Sequence, residues 1–395
     1  MDKQTLINIQ TTLQERGLTG WLFYDYKRSN DLALNLLQIP DNQMFTRRWF
    51  YWIPARGECV KIVSAVERHS LDSLPGKNAV YRTWRQMEMI LKEFLAEGAT
   101  IAMEYSPGNR IPSLSKVDAG TMEMIREKGA KVVSSGDLLQ LFTSVWDKEE
   151  IDSHLYAQKV LIEAVDAAWN IISEMLRQGI SITEYEVQQF ILEQFDQRGC
   201  TTDAPPIVAV NAHSADPHYT PSSESNTLIQ KGDFVLIDLW CKKLGTKNCY
   251  ADICRVAVAR EKPTKREQEV FAIVRSAQKK ATEYVIQAFS SKKPITGAEV
   301  DRVCRGVIEK SGYGEFFIHR TGHNIGQLDH GSGAHIDSFE TEDTRRLLLG
   351  TCFSIEPGIY LPQEFGIRLE YDLLIHHDGK VQITGGIQES IKTLV

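Results

Sequence analysis

The sequence predicts an α/β (α+β) protein of two domains, the second built from two related halves. The chain has 395 residues, more than one ordinary hydrophobic core accommodates. Short helical and strand-like segments alternate up to about residue 146, and long helical segments follow. Beyond that point, two sets of motifs recur in the same order. These three observations predict domains at 1–146 and 147–395.

Composition and charge exclude several classes of protein. The chain is 42% hydrophobic and 25% charged, as in ordinary globular proteins. Its net charge of -7 disfavours nucleic-acid binding, which normally needs a basic surface. The first residues lack the pattern of a signal peptide, and no apolar run is long enough to span a membrane. The seven cysteines include no CxxC pair. We therefore expect a cytoplasmic protein with reduced thiols.

The first domain is predicted from alternating helices and strands. In chain order the segments are the helix TLINIQTTLQERG, the strand GWLFYDY, the hairpin RWFYWIPARGECVKIVSAVE, the helix WRQMEMILKEFLAEG, the strand TIAMEY, the helix SKVDAGTMEMIREKG and the strand KVVSS. The hairpin is expected to turn at Arg56 and Gly57. Alternation of this kind favours an α/β domain. Near Trp146 the pattern changes to long helices.

The second domain contains an internal duplication of helix starts. The segment ISITEYEV (180–187) recurs as KPITGAEV (293–300). Thr183 with Glu186, and Thr296 with Glu299, each form a capping box, in which two side chains satisfy free donors at a helix start. A glycine stands 16 residues after each of these threonines and is expected to end the helix.

Two pairs of carboxylates are duplicated as well. GDFVLID matches GTCFSIE, so that Asp238 and Glu356 each stand six residues after a glycine. A second carboxylate follows 14 residues later in both cases, at Asp252 and Glu370. The repeat distance is too long for a solenoid unit. It indicates two half-domains related by an approximate two-fold axis, with a site between them that receives one carboxylate pair from each.

These acids lie in apolar, strand-like surroundings. In GIRLEYDLL, alternation predicts a strand with Arg368, Glu370 and Asp372 on one face. A carboxylate among buried strands costs several kcal/mol unless it is paired or bound to metal. Arg255 and Arg368 could neutralise some of the charge, whereas two divalent cations would balance four carboxylates. For any single acid, a salt bridge or a surface position remains the alternative.

The segment HRTGHNIGQLDHGSGAH (319–335) contains four of the ten histidines. His319 and His323 have the spacing of a helical zinc motif, but Arg320 stands where that motif needs glutamate. Gly322 and Gly326 also disfavour a helix. The sequence contains neither a GxSxG nucleophile motif nor a GxxxxGK[ST] phosphate loop. The histidines therefore need partners from elsewhere in the chain.

The ordered set Asp238, Asp252, His323, Glu356 and Glu370 carries a resemblance to a known family. The motifs HY (218–219), TGHNIG (321–326), IEPGIY (355–360) and IRLE (367–370) support it. The second domain resembles the pita-bread catalytic domain of the Xaa-Pro aminopeptidase and prolidase group of metallopeptidases. The first domain resembles the creatinase/prolidase-like N-terminal domain of the same group. Together these resemblances span nearly the whole chain.

The resemblance implies two divalent metal ions and a role for each of the five residues. Asp238 would bind one metal, His323 and Glu356 the other, and Asp252 and Glu370 would bridge both. A metal-bridging hydroxide would be the nucleophile, and Glu356 the general base. Mixed carboxylate and imidazole ligation suits Mn²⁺, which we expect, and also Co²⁺ or Zn²⁺.

Five further residues acquire catalytic roles from the resemblance. His330 would contact the substrate and help to transfer protons, and His218 would stabilise the tetrahedral intermediate. His319 would line the active site. Tyr360 and Arg368 would hold Asp238 and its neighbours in place. His335, by contrast, receives no role.

The function implied is hydrolysis of the bond between an N-terminal residue and proline, by an Xaa-Pro aminopeptidase or dipeptidase. A dipeptidase needs a group for the product carboxylate, for which Arg345 and Arg346 are candidates. The alternatives are a creatinase-like C–N hydrolase and a catalytically silent binding module. Two features depart from the group: the interval from Asp238 to Asp252 is longer, and GSGAHID follows His330. The second departure leaves the substrate range open.

The expected partners are small peptides with proline at the second position, with no nucleic acid and no membrane. The resemblance also implies a homodimer in which the first domain reaches a neighbour's pocket. In RRWFYWIP, Trp49 or Trp52 could stack on proline in that pocket. The alternative is that this stretch is a core strand of the first domain.

Overall fold

The computed structural model describes residues 1–95 and 97–395, and the chain divides into two compact units, Met1–Thr143 and Ser144–Val395. Both units combine helices and strands, so the predicted α/β class is confirmed. Among the residues described, no helix has the length and apolar composition needed to cross a membrane.

The first unit contains a six-stranded mixed sheet in the order β4-β3-β2-β1-β5-β6. Strands β1, β2 and β3 are antiparallel neighbours, and the remaining pairs are parallel. The elements are α1 Lys3–Glu15, β1 Gly20–Asp25, α2 Asp31–Leu36, β2 Trp49–Pro54, β3 Val60–Ser64, β4 Lys77–Tyr81, α3 Trp84–Phe94, β5 Thr100–Met103, α4 Ala119–Glu127, β6 Lys131–Ser134 and α5 Gly136–Thr143.

Every helix and strand predicted for this region is present, and α2, β4 and α5 were not predicted. The aromatic stretch is the inner strand β2, whose side chains alternate between the cores on the two faces of the sheet. Trp49 is 1% exposed and Trp52 is 4% exposed. Both indoles therefore belong to the core of this unit. The stretch RRWFYWIP is thus a core strand, the alternative to a contribution to a neighbour's pocket.

The second unit begins with the longest helix and ends in short strands. Its elements are α6 Lys148–Gln178, α7 Glu184–Gln197, β7 Cys200–Thr201, β8 Ile207–Val210, β9 Phe234–Lys243, β10 Ala251–Val258, α8 Lys265–Ser290, α9 Gly297–Lys310, β11 Asn324–Ile325, β12 Thr351–Ile355, β13 Gly358–Leu361, β14 Phe365–Arg368, β15 Tyr371–Ile375, β16 Val381–Thr384 and β17 Lys392–Thr393. Each half consists of a long helix, a 14-residue helix and antiparallel strands.

The duplicated helix starts are confirmed. Both capping boxes form, with the Thr183 hydroxyl accepting from the Glu186 N–H and the Thr296 hydroxyl from the Glu299 N–H. Each helix is followed by a glycine of positive φ, two residues after its last helical residue. Helices α6 and α7 pack in one hydrophobic core and α8 and α9 in another, and strands β8, β9 and β10 contribute side chains to both.

The strands nearest the predicted site form two separate antiparallel systems. Strands β8, β9 and β10 are neighbours in the first half, and β11, β12, β15 and β16 in the second. The prediction of one continuous strand through GIRLEYDLL was wrong. Strand β14 ends at Arg368 as part of a hairpin with β13, and β15 begins at Tyr371 beside β12. The chain therefore passes from one sheet to the other at residues 369–370. The alternation of polar and apolar residues in the sequence does not reveal this change.

His154 of α6 connects this helix to both halves of the second unit. The imidazole is fully buried, and its ring nitrogens lie 2.7 Å from the Tyr250 carbonyl oxygen and 2.7 Å from the Thr384 hydroxyl. Burial lowers the pKa of His154 to about 4. The ring is therefore neutral in the folded protein at neutral pH, with both nitrogens hydrogen-bonded.

This environment predicts a pH-dependent contribution to stability. A histidine whose pKa is lowered on folding contributes stability that is present above about pH 6.5 and is lost as the pH falls toward 4. The stability advantage of the wild type over His154→Gln should shrink by about 2 kcal/mol between pH 8 and pH 5. Urea titrations followed by circular dichroism measure this difference. The control is His69→Gln on an exposed turn, and a difference that does not change with pH would contradict the prediction.

Candidate metal centre

The first two predicted ligands come from one antiparallel hairpin. Strands β9 and β10 pair Asp238 with Cys254 and Trp240 with Asp252. Asp238 and Asp252 are therefore diagonal neighbours on the same face of the hairpin. The last pair of the hairpin is Cys241 with Ala251, so residues 242–250 form its tip. The longer interval between the two aspartates thus lies in the tip and does not alter their register.

The second pair comes from the end of the other strand system. Strands β12 and β15 pair Ile355 with Tyr371, so Glu356 and Glu370 are the next residues beyond that pair. Glu370 forms an isolated bridge with Cys254, to whose carbonyl oxygen its N–H donates at 3.4 Å. Cys254 is also the strand partner of Asp238. One residue of β10 therefore connects the carboxylate pairs of the two halves.

His323 stands between the two pairs, one residue before β11. Its Nε2 atom lies 3.6 Å from Asp252 Oδ2 and 3.5 Å from Glu356 Oε1. Its N–H donates to the Ser354 hydroxyl at 3.0 Å, and its carbonyl oxygen accepts the Ser354 N–H at 2.9 Å. The structure thus brings all five predicted ligands together around one cavity of about 850 Å³.

The electrostatics of this cluster are unfavourable for the protein alone. Burial and the neighbouring carboxylates raise the pKa of Asp252 and of Glu370 well above their usual range. Burial, with a contribution from Asp238, raises the pKa of Glu356 to about 7, although Arg368 and Arg320 oppose this shift. In water these groups would ionise freely, so folding brings acids together under conditions that penalise their charge.

The unsatisfied oxygens provide a test of whether metal ions fit the site. Asp238 Oδ1, Asp252 Oδ1 and Glu370 Oε1 are buried and have no hydrogen-bond partner. Ligand atoms of Asp252, His323 and Glu370 all lie within 4.8 Å of one another. Buried carboxylate oxygens without donors are rare in folded proteins and costly. Divalent cations would supply the missing partners and compensate the repulsion, so the donor set fits metal ions.

The two alternative cations contribute less than the metals would. The Arg368 guanidinium donates to Asp238 Oδ2, so one carboxylate does have an arginine partner. Arg255 instead donates to four backbone carbonyl oxygens, including that of Glu370. One arginine against four ligand carboxylates leaves most of the negative charge uncompensated.

A chain of hydrogen bonds extends from Asp238 to His319. Arg368 also donates to the Tyr360 hydroxyl at 3.0 Å and to the Pro217 carbonyl oxygen at 3.2 Å. The Tyr360 hydroxyl lies 2.7 Å from His319 Nε2. Burial, with the charge of Arg368, lowers the pKa of His319 to about 3, so the imidazole is neutral and can accept from the tyrosine. This chain orients Asp238 in the manner expected of residues behind a metal ligand.

His330 and His218 line the open part of the cavity. The His330 ring lies 4.1 Å from the His323 ring, centroid to centroid, and its side chain is 61% exposed. Partial desolvation inside the cavity, with the charge of Arg320, lowers the pKa of His330 to about 4. His218 is exposed, and its backbone N–H donates to Asp216. Both imidazoles are thus accessible from the cavity, as groups that contact substrate must be.

His335 and Arg345 form hydrogen bonds and ion pairs within the protein, away from the cavity. His335 Nδ1 accepts the Asn324 N–H at 3.0 Å, one residue from His323. Arg345 is buried, pairs with Asp343 and donates to the carbonyl oxygens of two residues in the segment after His330. The backbone of Arg346 forms an isolated β-bridge with Thr296, the residue that caps α9. None of the three lines the cavity.

Sequence reasoning missed three acidic residues near the ligands. Asp329 is buried at the cavity wall with Oδ1 unpartnered, and burial with repulsion from Asp203 raises its pKa well above normal. Asp203 also lines the cavity. Asp372 accepts the Asp252 N–H at 3.0 Å and so holds the ligand strand. The spacing of two residues between Glu370 and Asp372 is the signal in the sequence that points to Asp372.

Gly322 controls the approach of the histidine loop to β12. A Cβ atom at this position would collide with the Ser354 carbonyl oxygen. This close approach is what allows the two hydrogen-bonded contacts between His323 and Ser354. The glycine is therefore needed for space, since its φ is not in the left-handed region.

Gly322→Ala should therefore displace His323 and cost about 1–3 kcal/mol of stability, as overpacking does. The bound metal per chain should fall along with the free energy of unfolding. Gly306→Ala in α9 is the matched control, because a Cβ there meets nothing within 4 Å. That change should stabilise the protein by up to about 1 kcal/mol. Equal effects of the two substitutions would show that the close approach is unimportant.

Most of the second unit matches a known protein family. The model of metallopeptidase family M24 matches residues 156–377. An Xaa-Pro dipeptidase of Lactobacillus delbrueckii subsp. lactis is 35% identical over 230 residues, which cover 58% of this chain and 57% of the relative. An Xaa-Pro dipeptidase of Pyrococcus furiosus is 32% identical over 250 residues, 63% of this chain and 65% of the relative. The matched region thus spans less than two thirds of either relative.

Solved structures resemble the whole chain. The dipeptidase PepE from Mycobacterium ulcerans superposes with a TM-score of 0.69 at 22% identity, covering 99% of this chain and 97% of that one. This likeness extends over both units and concerns the fold. The roles of the individual site residues stay predictions from the sequence and the geometry.

Proposed function

The chain belongs to metallopeptidase family M24, and from this membership we propose that it is a metal-dependent exopeptidase cleaving the bond between an N-terminal residue and proline. The single observation that carries the proposal is the cluster of buried carboxylates whose oxygens lack hydrogen-bond donors. The names of the curated relatives support Xaa-Pro peptides as substrates. The match covers less than two thirds of these relatives, so Xaa-Pro substrates are proposed for this chain and not assigned to it.

We propose that two divalent cations occupy the cluster, held by Asp238, Asp252, His323, Glu356 and Glu370. When bound, such cations lower the pKa of water and polarise the scissile carbonyl. Mn²⁺ is our choice of native metal, with Co²⁺ and Zn²⁺ as alternatives, because oxygen ligands predominate in the set. Metal analysis of protein purified without added metal distinguishes among these ions.

Glu356 is the proposed general base. Its Oε1 atom accepts a hydrogen bond from the Ser354 hydroxyl at 3.1 Å, which fixes the carboxylate relative to β12. Burial raises the pKa of Glu356 to about 7 in the protein alone. A general base must be ionised before it can accept a proton. Cation binding would lower that value and favour the ionised form.

His319 and His330 are proposed to be neutral when the substrate binds. The pKa values of His319 and His330, about 3 and about 4, are lowered chiefly by burial. His330 would contact the substrate and transfer protons, and His218 would donate a hydrogen bond to the tetrahedral intermediate. His319, held by Tyr360, would line the pocket and keep Arg368 oriented toward Asp238.

The cavity also carries the acidic groups that an exopeptidase needs. Beside the ligands it is lined by Asp203, Asp216, Asp329 and Glu340. A free α-amino group is positively charged and would be attracted to such a wall, whereas a blocked N-terminus would not. The acidic wall therefore supports cleavage next to a free N-terminus.

We further propose a cytoplasmic homodimer that binds neither nucleic acid nor membrane. All seven cysteines are free and buried, which suits a reducing compartment. The net charge of -7 suits small peptides better than nucleic acid. Light scattering after gel filtration tests the dimer.

Cleavage of Xaa-Pro substrates is the first test. Metal-loaded protein should hydrolyse Ala-Pro, Ala-Pro-Ala or both, and should leave Ala-Ala-Ala and N-acetylated Ala-Pro-Ala largely intact. Chelation should abolish the activity, and added Mn²⁺ should restore it. The ratio of rates on Ala-Pro and Ala-Pro-Ala separates dipeptidase from aminopeptidase. Absence of cleavage by protein that contains two metals per chain would exclude the proposed activity.

The second test concerns Asp252. Asp252→Asn removes one charge and one oxygen donor of the proposed bridging ligand while preserving its size. Activity should fall at least about a hundredfold, since loss of even an outer partner of a metal ligand costs ten- to a hundredfold. The metal content should fall in parallel. Asp152→Asn on the exposed surface of α6 is the control, and retained activity in Asp252→Asn would refute the bridging role.

A further inference from the structure

Arg320 and Arg368 both line the cavity, and they differ in their hydrogen-bond partners within the protein. Arg368 is buried and pairs with Asp238, and its terminal nitrogens also donate to Tyr360 and Pro217, while its buried Nε is left without a partner among the described residues. Arg320 is half-buried on the cavity wall. Its position, three residues before His323, places a second positive charge beside the metal cluster.

The guanidinium of Arg320 has few partners. One of its terminal nitrogens donates to His330 Nδ1 at 3.2 Å. Glu340 accepts the Arg320 backbone N–H at 2.9 Å, yet across residues 1–95 and 97–395 no carboxylate forms an ion pair with the guanidinium. A guanidinium offers five N–H donors in a fork that matches a carboxylate. Most of these donors therefore remain available to a ligand in the cavity.

The rest of the wall would repel a negatively charged group. Asp203, Asp216 and Glu340 line it, while the ligand carboxylates are proposed to be compensated by the cations. Arg345 and Arg346, the cations expected to hold a product carboxylate, lie outside the cavity. Among the cavity-lining residues that the structure describes, Arg320 is the cation whose guanidinium has no carboxylate partner, so it is the side chain best placed to bind a substrate carboxylate.

We propose that Arg320 binds a carboxylate of the substrate and so determines which peptides are cleaved. This proposal rests on the proposed peptidase function. The carboxylate comes either from the C-terminus of a dipeptide or from an acidic side chain before proline. Both sources offer the same planar, bidentate group, and His330 keeps the guanidinium next to the residue proposed to contact the substrate.

The test compares matched substrates. Ala-Pro and its C-terminal amide differ in the terminal carboxylate alone. Glu-Pro amide and Gln-Pro amide differ in the side-chain carboxylate alone. Arg320→Gln should lower kcat/KM about ten- to a hundredfold for the charged member of one pair, mainly through KM, and change the neutral member less than about threefold. The affected pair identifies the source, and Arg320→Lys should recover part of the loss.

Arg302→Gln, on the exposed face of α9, is the control for loss of one positive charge and should alter no substrate ratio. An equal loss for both members of both pairs would overturn the proposal, because Arg320 would then act through His330 alone. Unchanged ratios would overturn it as well.

Direct binding separates this proposal from the peptidase function. If the metal-loaded wild type cleaves none of the four peptides, the peptidase function fails, and titration calorimetry with the same peptides tests Arg320. A wild-type preference of about tenfold for a charged member, lost in Arg320→Gln, would support the carboxylate site. Equal affinities in both proteins would exclude it.

Discussion

The burial of several carboxylates in one place is the constraint on which the rest of the second unit depends. Asp238, Asp252, Glu356 and Glu370 repel one another in surroundings that penalise their charge, and several of their oxygens have no donor. Left alone, such a cluster would cost much of the net stability of a typical domain. The surrounding strands must therefore hold the acids rigidly while cations, as proposed, supply the compensating charge.

Two kinds of contact provide this rigidity. The first is strand register, which sets Asp238 diagonal to Asp252 and ties both to Glu370 through Cys254. The second is hydrogen bonding behind the ligands. Arg368 supports Asp238 from the β13–β14 hairpin, and Asp372 accepts the backbone N–H of Asp252 from β15. In both hydrogen-bonded contacts the second half of the duplication supports a ligand of the first half, so the first half alone does not contain a complete site.

The histidine segment adds what the duplication does not contain. His323 has no counterpart in the first half, and it reaches the carboxylates because Gly322 allows its loop to approach β12 closely. The same segment carries Arg320 and His330 into the open part of the cavity. One short stretch therefore contributes both to the metal centre and to the surface that a substrate meets, which couples substrate choice to the geometry of the centre.

The sequence by itself determined the α/β class, the capping boxes and the duplicated carboxylates, because these features depend on local patterns and fixed spacings. The resemblance to a metallopeptidase family added His323 and so implied the five candidate ligands. Tertiary structure alone decided how the pieces meet. The segment GIRLEYDLL is divided between two sheets, and Trp49 and Trp52 are buried in a core. Arg320 lines the cavity, whereas Arg345 does not. Local patterns report which face of an element is apolar. They do not report which charged groups from distant segments face the same space, and that depends on how the chain packs.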